Sequence, residues 1–106
     1  MSKNHTLLVF LFSLFFTLNA SADYIDGQRA YASGDYGVAI LEWTQVAEDG
    51  NARAQYNLGR MYILGKGDDK NFLEARFWIK QALENNDEYI GALAQQVWDD
   101  YKLGTY

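Results

Sequence analysis

The sequence predicts an all-α fold, a short solenoid made of two helix pairs and a closing helix. Apolar residues recur at intervals of three and four, the spacing that places them on one face of an α-helix. Turn signals rich in Gly, Asn and Asp separate segments of helical length. The pattern also repeats with a period of about 34 residues, which is typical of helical solenoids.

The N-terminal segment has a different character, because residues 7–18 are almost wholly apolar. Lys3 precedes this run, and a small-x-small triplet that ends at Ala22 follows it. A positive start, an apolar run of about 7–15 residues and an A-x-A end describe a secretory signal peptide, whereas a spanning helix needs about 20 apolar residues. We therefore expect a signal peptide over residues 1–22 and a periplasmic or secreted mature domain over residues 23–106.

An uncleaved membrane anchor is the alternative, since the flanks of the apolar run lengthen it slightly. A lipid anchor through a thioether is excluded, because no Cys follows the run. We expect no stable membrane insertion once the leader is cleaved.

The predicted mature domain has no His and no Cys, because His5 lies in the leader. It therefore lacks the side chains used most often in general-base, thiol and zinc chemistry, and we predict neither a metal nor a cofactor. Its eight basic and fourteen acidic side chains give it a negative charge. Such a charge repels a phosphate backbone, so we predict no nucleic-acid partner.

The first helix pair is predicted from one irregular and one regular segment. Residues 24–33 have no clear stripe but show no strand alternation, and Gly34 and Asp35 follow them as a turn signal. Residues 36–49 carry an apolar stripe at helical spacing. Its members are Tyr36, Ala39, Ile40, Trp43, Val46 and Ala47.

The second helix pair and the closing helix follow in the same way. Helices are predicted over residues 51–64, 71–85 and 87–103, separated by a Gly-rich turn and an Asn-Asn-Asp turn. The first two of these carry apolar stripes, and the closing segment is less regular. The stripe residues are Ala54, Leu58, Met61 and Tyr62, then Phe72, Ala75, Ile79 and Ala82.

The two helix pairs are related by an internal repeat. Trp43 in the second helix corresponds to Ile79 in the fourth at an offset of 36 residues. Gly34 corresponds to Gly65 at an offset of 31 residues, so the turn of the second pair is longer. The two pairs are therefore expected to pack alike and to differ in their turns.

The second pair carries a family resemblance. The sequence from Ala54 to Gly67 reads AQYNLGRMYILGKG, and Ala75, Trp78 and Ala82 follow it at fixed distances. This spacing resembles the Sel1-like repeat, a relative of the tetratricopeptide repeat with the pattern A-x-Y-x-L-G-x-x-Y-x-x-G-x-G and a downstream A-x-x-W-x-x-x-A. The resemblance implies antiparallel helix pairs stacked into a superhelix, and it implies a protein-binding scaffold or adaptor.

Three glycines of this segment have predicted structural roles. Gly59 lies in the middle of a helix, where Gly costs about 1 kcal/mol relative to Ala. We expect a neighbouring helix to approach its backbone closely. Gly65 and Gly67 are expected to take positive φ in the turn.

Candidate catalytic residues are limited to carboxylates. Asp68-Asp69 and Asp99-Asp100 are adjacent pairs, whose side chains point about 100° apart on a helix and do not converge on one atom. The first pair, with Asn71, is better explained as the start of a helix. We therefore predict that the protein is not an enzyme, and a small carboxylate-dependent enzyme acting on the cell wall is kept as an alternative.

A candidate binding site follows from the resemblance, which implies that the first helix of each pair lines a concave groove. The matching positions are Arg53, Tyr56, Asn57, Arg60, Ile63 and Leu64. Arg29 matches Arg60 at the 31-residue offset, and arginines in line with an Asn can grip a peptide carboxylate or backbone. We predict Arg29, Arg53, Tyr56, Asn57 and Arg60 as partner-binding residues. Surface arginines paired with the excess acids are the alternative.

These observations together predict an exported protein-interaction module that binds a protein or peptide on its concave face. An adaptor, regulator or inhibitor in the cell envelope would have these properties. A self-associating structural subunit, joined through its open solenoid ends, is a further alternative.

Overall fold

The structure, a computed structural model, describes residues 24–106 and confirms the all-α class. The helices pack one after another in chain order, as in a short helical repeat. They are α1 (24–32), α2 (Tyr36–Glu48), α3 (Ala52–Leu64), α4 (Phe72–Glu84), α5 (Glu88–Asp100) and a 3-10 helix (Leu103–Thr105). In this part of the chain, no helix is long and apolar enough to span a bilayer. The predicted signal peptide lies outside the described residues.

Three helices begin at a side chain that accepts a backbone hydrogen bond. Asn51 accepts from the amide of Ala54 at 2.9 Å, and Asn71 accepts from the amide of Glu74 at 3.1 Å. Asp87 does the same at the start of α5. These caps satisfy amides that have no partner within the helix. The interpretation of Asn71 as a helix start is confirmed.

The turns of the two pairs use glycine in the left-handed region. Gly34 has a φ of 83°, and Gly65 and Gly67 have φ values of 69° and 82°. A side chain at these positions would be strained, whereas glycine adopts such values freely. The predicted positive φ at Gly65 and Gly67 is therefore confirmed.

Helix α3 lies at the centre of the fold and is buried on two sides. Leu58 and Met61 pack with α2 and Trp78, while Ala52 and Ile63 belong to a second cluster with α4 and α5. The two clusters meet along α3. Burial of apolar side chains on both of its sides ties the two pairs into one domain.

At Gly59, helix α4 packs closely against the backbone of α3. A Cβ atom built at Gly59 would lie 2.5 Å from both Cδ1 and Cγ1 of the Ile79 side chain. The predicted close approach at this glycine is confirmed. The helix tolerates the unfavourable propensity of Gly here because the packing leaves no room for a side chain.

The predicted end of the closing helix is wrong. The sequence predicts a helix to residue 103, but α5 ends at Asp100 and Lys102 has a φ of 52°. The chain reverses there so that Leu103 is fully buried in the core with α4 and α5. The Tyr106 ring then stacks on Phe72, with 5.1 Å between ring centroids. The free energy gained by burying this apolar surface exceeds the free energy that a longer helix would provide.

Candidate functional site

The first helices of the two pairs and the closing helix share one face, and this face contains two cavities. A cavity of about 210 Å³ lies between α1 and α3, and one of about 40 Å³ lies between α3 and α5. Arg60 and Leu64 border both cavities. We call the surface formed by the two cavities the concave face. It is continuous across three helices, with Arg60 near its centre.

The indole of Trp43, a residue of α2, forms the floor of the larger cavity. Trp43 is only 3% exposed, and its ring stacks with Tyr24 and Tyr31 at centroid distances of 6.0 and 5.7 Å. Its Nε1 donates a hydrogen bond to the carbonyl of Tyr24 at 3.1 Å. The indole is therefore fixed by both packing and a hydrogen bond.

Gly27 makes this arrangement possible. A Cβ atom at Gly27 would lie 2.4 Å from Cδ1 of Trp43, well inside van der Waals contact. The indole therefore lies directly against the backbone of α1. Any side chain at this position would push the floor of the cavity out of place.

The rim of the larger cavity is polar. Gln28 from α1 and Asn57 and Arg60 from α3 line it, and the Asn57 amide donates to the hydroxyl of Tyr24 at 3.5 Å. Amide side chains carry both donors and acceptors, and a guanidinium carries five donors. This rim can therefore bind a carboxylate or the polar groups of a peptide backbone.

Two of the predicted arginines lie over aromatic rings. The Arg60 guanidinium is 5.7 Å from the ring centre of Tyr56, and that of Arg53 is 6.0 Å from the ring centre of Tyr24. Neither arginine makes an ion pair with an acidic residue of the described chain. Cation–π contacts of this kind orient a guanidinium while leaving its edge donors available.

Arg29 is placed differently from Arg60. Its guanidinium makes an ion pair of 3.9 Å with Asp26, one turn earlier on α1, and its side chain is 78% exposed. It does not border either cavity. The structure thus brings Asn57 and Arg60 together on the concave face and places Arg29 beside an acid. The binding role of all five predicted residues stays a prediction.

Sequence reasoning predicted Arg29 as the contribution of α1 to this face and missed Tyr24, Gln28 and Tyr31, which line the larger cavity. Tyr24, Gly27 and Tyr31 stand at positions i, i+3 and i+7, which share one side of a helix. A glycine between two aromatic residues on one helix face is the signal that could have identified α1 as the partner of a large side chain, here Trp43.

The charge of the concave face is opposite to that of the chain. Helix α3 contains Arg53 and Arg60 and has no acidic residue, whereas every other described α-helix has at least one. The chain as a whole carries a net charge of −5. A local positive centre in an acidic protein attracts anionic groups to this position.

Lys66 adds a second cation beside the larger cavity. Its Nζ donates to the hydroxyl of Tyr31 at 2.9 Å and lies 5.0 and 5.2 Å from the ring centres of Tyr31 and Tyr36. This hydrogen bond to the Tyr31 hydroxyl raises the pKa of Lys66 above its ordinary value. The turn after α3 is thereby attached to the first helix pair.

The candidate catalytic carboxylates lie at the surface of the described chain. Asp68, Asp69, Asp99 and Asp100 are all exposed, and Asp68 accepts a hydrogen bond from the amide of Asp69 in its own turn. Within residues 24–106, no three acidic or metal-binding side chains lie close enough to hold a metal ion.

The helix pairs and their continuous concave face define a helical-repeat protein. Comparison with known proteins supports the repeat type: the chain is 42% identical over 43 residues to a Sel1-like repeat-containing protein of Acanthamoeba polyphaga mimivirus. The match covers 41% of this chain but only 7% of the viral protein. No model of a protein family matches the chain, and no solved structure does.

The resemblance to Sel1-like repeats is therefore confirmed over this segment. Such repeats are usually non-catalytic scaffolds and typically bind proteins. The resemblance suggests a protein-interaction module.

Proposed function

We propose that the protein is an exported interaction module that binds a segment of a partner protein on its concave face. In this role it acts as an adaptor, regulator or inhibitor in the cell envelope. The repeat resemblance supports the general role, and the continuous face across α1, α3 and α5 supports the position of the site.

The placement of Arg60 carries the proposal. Arg60 borders both cavities, is held against the ring of Tyr56, and makes no ion pair with a described acid. A cation placed in this way is available to a ligand. Its pairing with a partner's carboxylate gives a charge-assisted hydrogen bond, which is stronger than a neutral one.

Export rests on the N-terminal sequence alone, where a charged start, an apolar run and a triplet ending at Ala22 describe a signal peptide. Intact mass of the protein recovered from the producing cell tests it. We expect a chain that begins at Asp23. Recovery of the protein with residues 1–22 in the membrane fraction would show that it is anchored.

Charge reversal at Arg60 tests the binding site. We expect Arg60→Glu to weaken capture of the partner by about 30-fold, or about 2 kcal/mol, if the contact is a buried charge-assisted one. Affinity purification from the cell envelope with quantitative mass spectrometry measures the effect. Far-UV circular dichroism should not change, because Arg60 is exposed.

Lys80→Glu is the matched control, since it makes the same change of charge on α4, away from the concave face. It should recover the partners in normal amounts. If Arg60→Glu also does so, the concave face is not the binding site, and the partner binds the opposite side or the ends of the solenoid.

A further inference from the structure

We propose that the partner segment presents a large apolar side chain to the cavity between α1 and α3 and a neighbouring carboxylate to Arg60. This inference rests on the proposed function and deepens it, because it specifies the chemistry of the segment. The size of the cavity, the nature of its walls and the charge around it each support one part of the inference.

The volume of the cavity fits one large side chain of the partner segment. Sites for drug-sized molecules and cofactors have volumes of about 300–1,000 Å³. The cavity here measures about 210 Å³. An apolar cavity of about 150 Å³ already accepts benzene, so this one accommodates a group the size of a Leu or Phe side chain.

The walls of the cavity offer apolar surface beside the polar groups of its rim. Leu64, 44% exposed, stands at its edge, and Trp43 and Met61, which are almost fully buried, close its base. The rings of Tyr24 and Tyr31 complete the sides. An apolar group entering here loses its contact with water and gains close packing, which is how anchor residues contribute most of the affinity of an interface.

The charge around the cavity favours an acidic residue next to the apolar side chain of the partner segment. None of the described residues that line the cavity is acidic, while Arg60 stands at its rim and Arg53 and Lys66 lie nearby. A cationic segment would therefore be repelled and would have no counter-charge to pair with, whereas a carboxylate would pair with Arg60.

The position of Arg60 sets the spacing within the partner segment. Because Arg60 borders the cavity itself, a carboxylate bound to it lies next to the apolar group that fills the cavity. The two groups are then one or two residues apart in an extended segment. The amides of Gln28 and Asn57, on the same rim, can bind the backbone between them.

Selection from a phage library of random heptapeptides tests this chemistry. The target of the selection is the protein as it is recovered from the cell that produces it. We expect enrichment of peptides with Asp or Glu within two positions of Leu, Ile, Met, Phe or Trp. On the Arg60→Glu variant the acidic preference should invert to a basic one, because the charge at the rim is reversed.

Gln28→Trp is the second variant, because Gln28 is exposed on α1 and its replacement covers the cavity without disturbing the core. We expect it to lose the apolar preference and to retain the acidic one. Lys80→Glu should select the same peptides as the unchanged protein.

The outcomes separate the inference from the proposed function. If Arg60→Glu loses peptide binding but the selected peptides show no acidic preference, the concave face binds and the inference is wrong. If both variants select the same peptides as the unchanged protein, or if no peptide is enriched, both ideas fail. Dimers that dissociate on Arg60→Glu, seen by sedimentation, would identify a second copy as the occupant and overturn the inference.

Discussion

The two helix pairs place a glycine of the first helix against a large side chain of the second, and they do so with different partners. In the first pair, Gly27 lies against the rigid indole of Trp43. In the second pair, Gly59 lies against the aliphatic chain of Ile79. Trp43 and Ile79 occupy equivalent positions of the repeat, so the helices approach each other in the same way around unlike side chains.

This difference is accompanied by different surroundings of the two side chains. The indole of Trp43 packs against Tyr24 and Tyr31 and lines the cavity between α1 and α3. Ile79 is fully buried and fills its surroundings within the core. A shared glycine contact thus borders a cavity in one pair and a packed core in the other.

The largest expected effect comes from filling the glycine contact of the second pair. Gly59→Leu should lower the free energy of unfolding by about 3 kcal/mol, because its side chain has to displace the buried Ile79. Chemical denaturation measures the change. Gly91→Ala on α5 is the control, since nothing lies within 4 Å of a Cβ atom there, and it should stabilise the protein slightly. An unchanged midpoint for Gly59→Leu would contradict the observed packing.

Replacing each of the two glycines with alanine compares the two helix pairs directly. Gly27→Ala should cost about 2 kcal/mol, because the Trp43 ring is rigid and hydrogen-bonded. Gly59→Ala should cost less, about 1 kcal/mol, because its methyl group meets an aliphatic side chain instead of a hydrogen-bonded ring, although Ile79 is fully buried. Thermal or denaturant unfolding of the two variants side by side decides this. Equal losses in the free energy of unfolding would show that the indole is no more constrained than the aliphatic chain.

A smaller effect concerns Lys66, which attaches the longer turn of the second pair to Tyr31 of the first. Because the hydrogen bond raises the pKa of Lys66, its contribution to stability is complete below the ordinary value of 10.5 and is lost as the pH rises through the raised value. Lys66→Met should therefore lower the melting temperature at pH 8, and the difference from the unchanged protein should shrink above pH 10.5.

Lys80→Met is the control for Lys66, because Lys80 pairs with Glu84 at 3.9 Å on an exposed surface. Such pairs contribute little, so its melting temperature should hardly change at either pH. A difference for Lys66→Met that stays constant across this range would show that the charge of Lys66 does not hold the turn.

Much of the fold follows from local rules that the sequence expresses. Apolar spacing predicts the helices, and Gly65, Gly67 and Asn71 predict where they stop and start. The end of α5 could not be predicted in this way. It depends on Leu103, which returns to a core formed by residues distant in sequence, and no local pattern contains that contact.

The candidate site was less predictable than the fold. The 31-residue offset aligns Arg29 with Arg60, but Gly27 and Gly59, which meet the equivalent side chains Trp43 and Ile79, are 32 residues apart. That spacing puts Gln28 at the position of Arg60, and Gln28 lines the same cavity. Arg29 turns toward Asp26 one turn away, and a surface contact of that kind depends on a few tenths of a kcal/mol. Trp43 was predicted as core, which is correct, and its second role as the floor of the cavity depends on where α1 lies.

The position of Trp43 also gives the molecule a spectroscopic reporter of its own. Its indole is shielded from water between Tyr24 and Tyr31, so its emission should be blue-shifted and should receive excitation energy from both phenols. Two further tryptophans, Trp78 and Trp98, lie outside the cavity. With both replaced by Phe, a change in the fluorescence of the remaining indole would report a group that binds in the cavity that Trp43 lines.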